Sequence, residues 1–390
     1  VTPKKGRAGT HVTTSVGGEN VHAFVPPPLP PDPPLEMTPV LQDLIEKANR
    51  GLGRLDGIAR VLPDPSLFLY TYIRKEALLS SQIEGTQSSF SDLLLFEAEE
   101  APGVPINDVE EVSHYVAAMD YALEQIRGGF PLSLRLMCDT HRILLSGARG
   151  GNKQPGEFRT TQNWIGGSRP GNARFVPPPP NRVMECMGLL EKFLHDDPVK
   201  TPLLIKAALS HVQFETIHPY LDGNGRLGRL LITLLLCAEE ALSGPMLYLS
   251  LYFKANRDAY YELLQRVRTD GDWEAWLDFF LRGVVETTEQ ATNTAKKIMD
   301  LFTSDRNKIE NLGRPAASAL RVYDVLQKRV TLSIPRTAER LGISQPTVTS
   351  AILHLVKLGV AKEATGRKRK KLYVYDEYLK ILGEGAEPIT

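Results

Sequence analysis

Apolar residues recur at helical spacing along most of the chain. Leu41, Leu44, Ile45, Ala48, Leu52 and Leu55 predict a helix within Met37–Ile58. Pro65 opens a second, which runs through Leu69, Tyr72, Ile73 and Leu79 and stops at Gly85, a residue suited to the left-handed position past a helix end. Further helices are predicted at Ser88–Glu97, Asp108–Ile126, Leu132–Leu145 and Asn181–His195. The helical run Pro202–Thr216 breaks at Pro219, and Leu227, Leu230, Leu231, Leu234 and Leu235 then restart the period. Ser250–Phe280 keeps an apolar face built from Leu263, Leu264, Val267, Trp273, Trp276 and Leu277, and Val284–Asn311 reads as a long polar connecting helix. The pattern predicts a mainly α fold in which helices pack on helices.

Several stretches interrupt that period. Val1–Asn20 is rich in Gly, Thr and Lys without periodicity, which predicts disorder. The prolines of Phe24–Pro34 predict an extended arm; lying along its own domain is preferred to docking in a partner's aromatic groove. Ala101–Asn107 reads as a loop. Gly150–Pro180 is dominated by proline, glycine and polar residues around a β-like segment, Phe158–Ile165, which predicts a hairpin.

Bulk composition narrows the class. The 390 residues suit two to three domains, and an apolar fraction of 42% is ordinary for a soluble protein with a core. Cys138, Cys186 and Cys237 are scattered in apolar runs, which predicts free thiols in a reducing compartment and a cytoplasmic location. No apolar run approaches the roughly 18 residues of a membrane span, and no secretory leader is expected.

The chemistry concentrates in Ser210–Arg229, SHVQFETIHPYLDGNGRLGR. A helix ends at His218, and Asp222-Gly223-Asn224-Gly225 then leaves backbone N–H groups bare before the next helix. Arg226 and Arg229 share a face away from the leucine stripe. A glycine-rich lead into a helix start is an anion site, two arginines suit a polyphosphate, and an aspartate beside phosphates suits Mg2+. The dipole at the preceding helix's end should favour protonated His218 and raise its basicity. His211, Glu215 and His218 share one face, but His211 reads as a hydrogen-bonded core residue rather than a metal ligand.

His218-Pro219-Tyr220-Leu221-Asp222-Gly223-Asn224-Gly225-Arg226-Leu227-Gly228-Arg229 resembles the Fic-family signature H-P-F-x-D-G-N-G-R-x-x-R, with Tyr220 in place of phenylalanine. The resemblance implies a helical catalytic core transferring AMP from ATP to a Ser, Thr or Tyr hydroxyl of a target protein. It assigns His218 as base, Asp222 to Mg2+, and Gly223, Asn224, Gly225, Arg226, Gly228 and Arg229 to the nucleotide. Ser80 and Glu84-Gly85 are similar to the family's inhibitory motif, in which the glutamate pairs with the second arginine, here Arg229. Such proteins sometimes also remove AMP. Gly156, Phe158-Arg159 and Trp164-Ile165-Gly166-Gly167 resemble the family's target-binding β-hairpin flap. Tyr260 and Tyr261 match a tyrosine pair near the adenine, although core packing explains them equally well.

The C-terminal end differs in charge. Gly313–Tyr375 holds thirteen Lys/Arg against three Asp/Glu. Helices at Ala316–Lys328, Ile334–Leu341 and Gln345–Leu358, then alternating Leu372-Tyr373-Val374-Tyr375, resemble a winged helix. Its third helix would read duplex DNA through Gln345, Thr347, Thr349 and Ser350, and Arg367, Lys368, Arg369, Lys370 and Lys371 would meet phosphates. A winged helix used for protein contact or dimerisation is the alternative. The expected division is a disordered 1–20, a helical region 21–107 with the inhibitory helix, a catalytic domain 108–285, a connector 286–312 and a winged helix 313–390. The expected partners are a protein hydroxyl, duplex DNA and a second copy of the chain. The competing function is a DNA-binding regulator that uses the nucleotide site as a sensor.

Overall fold

A computed structural model describes residues 7–61, 65–97, 106–147, 151–365 and 371–388. Most of the loop expected at 101–107 and the wing residues Arg367, Lys368, Arg369 and Lys370 lie outside the described residues. The described chain is mainly helical. After a hairpin of β1 (Thr10–Val16) and β2 (Glu19–Val25) come α1 (Pro39–Val61), α2 (Pro65–Ile83), α3 (Phe90–Glu97), α4 (Ile106–Arg127) and α5 (Leu134–Leu144). A long irregular segment leads to α6 (Pro180–Leu194), α7 (Leu203–Ile217), α8 (Asn224–Ala238), α9 (Ser250–Ala255), α10 (Arg257–Asp270) and α11 (Trp273–Glu310). The C-terminal unit holds α12 (Ala316–Arg329), β3 (Thr331–Ser333), α13 (Ile334–Leu341), α14 (Gln345–Lys357), β4 (Lys362–Glu363), β5 (Leu372–Val374) and α15 (Asp376–Gly383). Its small antiparallel sheet has the order β3-β5-β4.

Helix α7 forms the centre of the core: every residue from Leu204 to Ile217 except Lys206 and the chemistry-bearing polar residues is apolar or small, and all are buried. Such a helix has no wet face, so its end can be positioned from several sides. Helix α8 packs on it, and Leu227, Leu230, Leu231, Leu234 and Leu235, the stripe read from the sequence, are buried. Helix α11 packs along α1, and they approach closely enough that a Cβ at Gly51 would meet Thr288 Oγ1 at 2.3 Å.

Three expectations are corrected. The N-terminal stretch is ordered from Thr10 onward: β1 and β2 pair in full register from Thr10↔Val25 to Val16↔Glu19. Gly17 and Gly18 take positive φ at the turn, and Val21, Ala23 and Val25 bury one strand face. The segment expected as a flap hairpin forms no ladder; Ile165 and Phe175 make an isolated bridge. The backbone of Arg159 donates to Pro219 O (2.9 Å), so the start of this segment bonds to the α7–α8 turn, and only Ile165 exchanges backbone bonds with Phe175. The connector is one continuous helix from Trp273, and Val284, Ala291, Ala295 and Ile298 bury it in the core.

The proline arm follows its own domain: Gln213 Nε2 donates to Pro27 O (2.8 Å), and buried Arg7 pairs with Glu274 (2.8 Å). The segment after α15 returns to α2, where Lys75 Nζ donates to Glu384 O (2.8 Å) and Gln82 Nε2 to Ala386 O (3.0 Å). No described helix is long and apolar enough to cross a membrane.

Candidate active site

The α7–α8 turn lines a cavity of about 400 Å³. Helix α7 ends at His218, whose φ of 48° and ψ of 59° are left-handed. For a residue with a Cβ this conformation costs about 1–2 kcal/mol, so surrounding contacts must hold it. Arg159 Nε donates to His218 O at 2.9 Å, and Asn163 Nδ2 donates to Tyr220 O at 3.0 Å. Asn224 closes the turn: its Oδ1 accepts Tyr220 N–H and its Nδ2 donates to Tyr220 O, both at 2.9 Å. Gly223, with φ of 76°, precedes α8, and Gly223 to Arg226 line the cavity beside His218 and Asp222.

His218 is less basic than its helix-end position suggests. Burial, with the Arg268 and Arg159 guanidinium groups nearby, pushes its pKa down to about 3, although Glu84 and the Glu215 backbone oppose this. The raised basicity expected from the dipole is therefore corrected: desolvation and two cations outweigh it. The ring is neutral at physiological pH, with Nδ1 buried and the residue facing the cavity.

Both signature arginines are paired with carboxylates. Arg229 Nη2 donates to Glu84 Oε1 at 2.7 Å and to Ser80 O at 2.9 Å, while its Nε donates to Ser80 Oγ at 2.9 Å. Desolvation pushes the Glu84 carboxyl up, but Arg229 more than offsets this and holds it below the usual range. Gly225 permits the approach, since a Cβ there would lie 2.2 Å from Glu84 Oε1. Arg226 Nη1 lies 2.7 Å from Glu111 Oε1 on α4, and its Nη2 lies 3.7 Å from Asp222 Oδ1. No sequence signal marked Glu111, which lies more than 100 residues upstream.

His141 from α5 was also missed. Its Nδ1 accepts Gly156 N–H (2.8 Å), which leaves the proton on Nε2 to donate to Asp222 O (3.0 Å). Burial pushes its pKa down to about 4. Its ring stacks on Tyr220 with centroids 3.7 Å apart. The hydroxyl that distinguishes Tyr220 from phenylalanine donates to Cys138 Sγ (3.6 Å).

The remaining predicted residues divide. Gly228 serves packing: a Cβ would meet Glu215 Oε1 at 2.4 Å, and its carbonyl accepts from His211 Nδ1 (2.9 Å). Tyr260 is 1% exposed, bonds His211 Nε2 (2.9 Å) and does not line the cavity. Tyr261 is half-buried; burial and Glu84 push its phenol up to about 12. Trp164 is exposed at the bend, followed by Gly166 and Gly167 with φ of 68° and 76°. On α14, Gln345 and Thr347 are exposed, while Thr349 Oγ1 donates to Gln345 O (2.8 Å). Lys371 pairs with Glu363 (2.8 Å).

Among the described residues no group of three or more His, Cys, Asp or Glu is placed to hold a metal ion. Asp222 lines the cavity with its side chain 44% exposed and Oδ1 accepting Gly223 N–H (2.6 Å). That fits an ion such as Mg2+, which keeps waters and phosphate oxygens as its other ligands.

Comparison with known proteins places the α7–α8 turn inside a matched region. Residues 42–124 match the Fic/DOC family N-terminal region, and residues 131–236 match the Fic/DOC family. The protein adenylyltransferase Fic of Drosophila grimshawi is 30% identical over 210 residues, covering 52% of this chain and 37% of that protein. That of Drosophila virilis is 28% identical over 244 residues, covering 61% and 44%. The chain thus spans less than half the length of the curated relatives it matches. The fold is similar to that of a Fic family protein from Desulfovibrio desulfuricans G20, with a TM-score of 0.58 and 19% identity over 88% of this chain and 97% of the other. Through these two matched regions, 42–124 and 131–236, the chain belongs to the Fic/DOC family.

Proposed function

We propose that this chain is a protein adenylyltransferase that moves AMP from ATP to a Ser, Thr or Tyr hydroxyl of a target protein or of itself. The observation that carries the reading is the convergence of neutral His218, Asp222, the N-terminus of α8 and Arg226 on one cavity, with Arg229 beside it. His218 accepts the hydroxyl proton as the oxygen attacks the α-phosphate; phosphate charge alongside the ring raises its proton affinity above the resting value. Gly223, Asn224 and Gly225 stabilise the developing charge through helix-end N–H groups. Arg226 and Arg229 bind the outer phosphates, which leave as pyrophosphate. Asp222 would hold Mg2+, which neutralises phosphate charge when bound. The exposed bend at Trp164–Gly167 is the proposed target contact.

Incubating the chain with each α-labelled nucleoside triphosphate and Mg2+ tests this. Covalent label from ATP on the protein or an added target is expected. Absence of label from all four, including in Glu84→Gly, overturns the reading.

We also propose that Glu84 is inhibitory, because its carboxylate occupies Arg229, and that AMP removal is a second reaction of the same site. The C-terminal elements support a winged helix whose α14 and basic wing contact duplex DNA; the strongly positive sequence of this unit favours that partner. A salt-sensitive gel shift with the full chain is expected, and no shift at low salt would favour protein contact or a homodimer. Three free thiols support a cytoplasmic setting.

A further inference from the structure

The end of α7 is surrounded by donors from other elements. Buried Arg159 sends Nε to His218 O (2.9 Å) and Nη2 to Pro178 O (2.6 Å) and Ile217 O (3.3 Å). Its own backbone N–H donates to Pro219 O (2.9 Å). Asn163 Nδ2 reaches Tyr220 O (3.0 Å) and His218 O (3.4 Å). No carboxylate is paired with Arg159 among the described residues; its charge rests on carbonyls at the negative end of α7. One side chain thus meets the helix's last carbonyls, the left-handed residue and the proline run leading into α6.

We propose that Arg159, assisted by Asn163, is a positioning residue for His218: it holds the base's carbonyl in the left-handed bend and so aims the imidazole into the cavity. This rests on His218 being the base. A left-handed non-glycine residue relaxes once its carbonyl is released, and the ring direction follows the backbone. The nucleotide-binding groups begin at Asp222, whose backbone carbonyl is held by His141, whereas the bonds of Arg159 to this turn end at Pro219. Loss of Arg159 should therefore affect the chemical step more than ATP binding. The arginine also stands with Arg268 among the cations that keep the ring neutral, opposed by Glu84 and the Glu215 carbonyl.

The test uses the full chain carrying Glu84→Gly, with kcat and KM for ATP measured separately from label transfer. Arg159→Met is expected to lower kcat at least tenfold while KM changes less than twofold. Arg159→Lys, which keeps a cation and fewer donors, should recover part of kcat. Asn163→Ala should lower kcat in the same direction by less. A folded Arg159→Met with kcat within twofold of its parent overturns the proposal. If that variant does not fold, Asn163→Ala decides it: unchanged kcat overturns, reduced kcat at constant KM supports. His218→Ala separates the two readings. If it retains transfer, the base assignment fails and the positioning role with it; if it abolishes transfer while Arg159→Met and Asn163→Ala do not reduce kcat, only the positioning role fails.

Discussion

Two helix–turn–helix segments in this chain solve the same local problem in opposite ways. Between α7 and α8 the turn is covered, and its carbonyls are collected by Arg159, Asn163 and His141 from distant elements. Between α13 and α14 the turn is exposed and closed mainly by its own groups: Gly342 N–H donates to Glu339 O (3.2 Å) and Ser344 Oγ caps Thr347 N–H (3.3 Å), with one outside donor, Arg321 of α12, on Leu341 O (2.6 Å). The first is held by long-range contacts, so its groups are oriented before any ligand arrives. The second is closed mainly by local bonds, and Gln345 and Thr347 at the start of α14 are exposed.

Mutations can break this contrast, beginning with the largest effect. His218→Ala should lower AMP transfer by about 10²–10⁴-fold, the usual worth of a general base. Retained nucleotide binding would show that the phosphate groups are intact, and transfer at the parent rate would remove His218 from the mechanism. Glu84→Gly should raise self-labelling by roughly 10–150-fold, because a charge-assisted contact worth about 1.5–3 kcal/mol no longer competes for Arg229. Adding Arg229→Ala should erase that gain. Labelling no faster than wild type would reduce Glu84 to a helix end.

Stability measurements sharpen the contrast further. Burial pushes the Glu215 carboxyl beneath the first turn up to about 7, against an ordinary value of 4.5. Between those values the folded state keeps a proton that the unfolded state releases, so this group's contribution to stability falls as pH rises from 4.5 to 7. Denaturant unfolding of Glu215→Gln should lack that fall, and a wild-type-minus-variant difference that is flat with pH would contradict it. The smallest effect belongs to the exposed turn. Ser344→Ala should cost about 1 kcal/mol through its lost cap and leave AMP transfer unchanged. Altered transfer would mean that the two segments are coupled.

Legibility followed the same divide. The leucine stripe of α8, the stop at Pro219 and the convergence on Asp222–Arg229 were readable because they depend on local spacing. Glu84 was readable as an acid at a helix end, and its pairing with Arg229 came from resemblance. The N-terminal hairpin was missed because its valines alternate with polar residues in a short Gly-Gly-turned segment that looked merely unperiodic. The flap hairpin was expected from strand-like residues, but the backbone of Arg159 found a partner in Pro219 O. The connector looked polar because its buried positions are interspersed with exposed polar ones, although α1, α12 and α15 pack against α11.

The sequence by itself determined most of the helical elements and the candidate reactive groups, since helix period, proline breaks and side-chain chemistry are properties of neighbouring residues. Only the tertiary structure decided how those groups behave. His218 lies at a helix end whose dipole favours protonation, yet burial and two distant cations hold its pKa near 3. Gly228 stands within the signature and Tyr260 in a tyrosine pair, yet both bond to buried His211. Arg226 meets Glu111 from another helix. Desolvation and long-range pairing depend on which surfaces come together, and that is settled only when the whole chain packs.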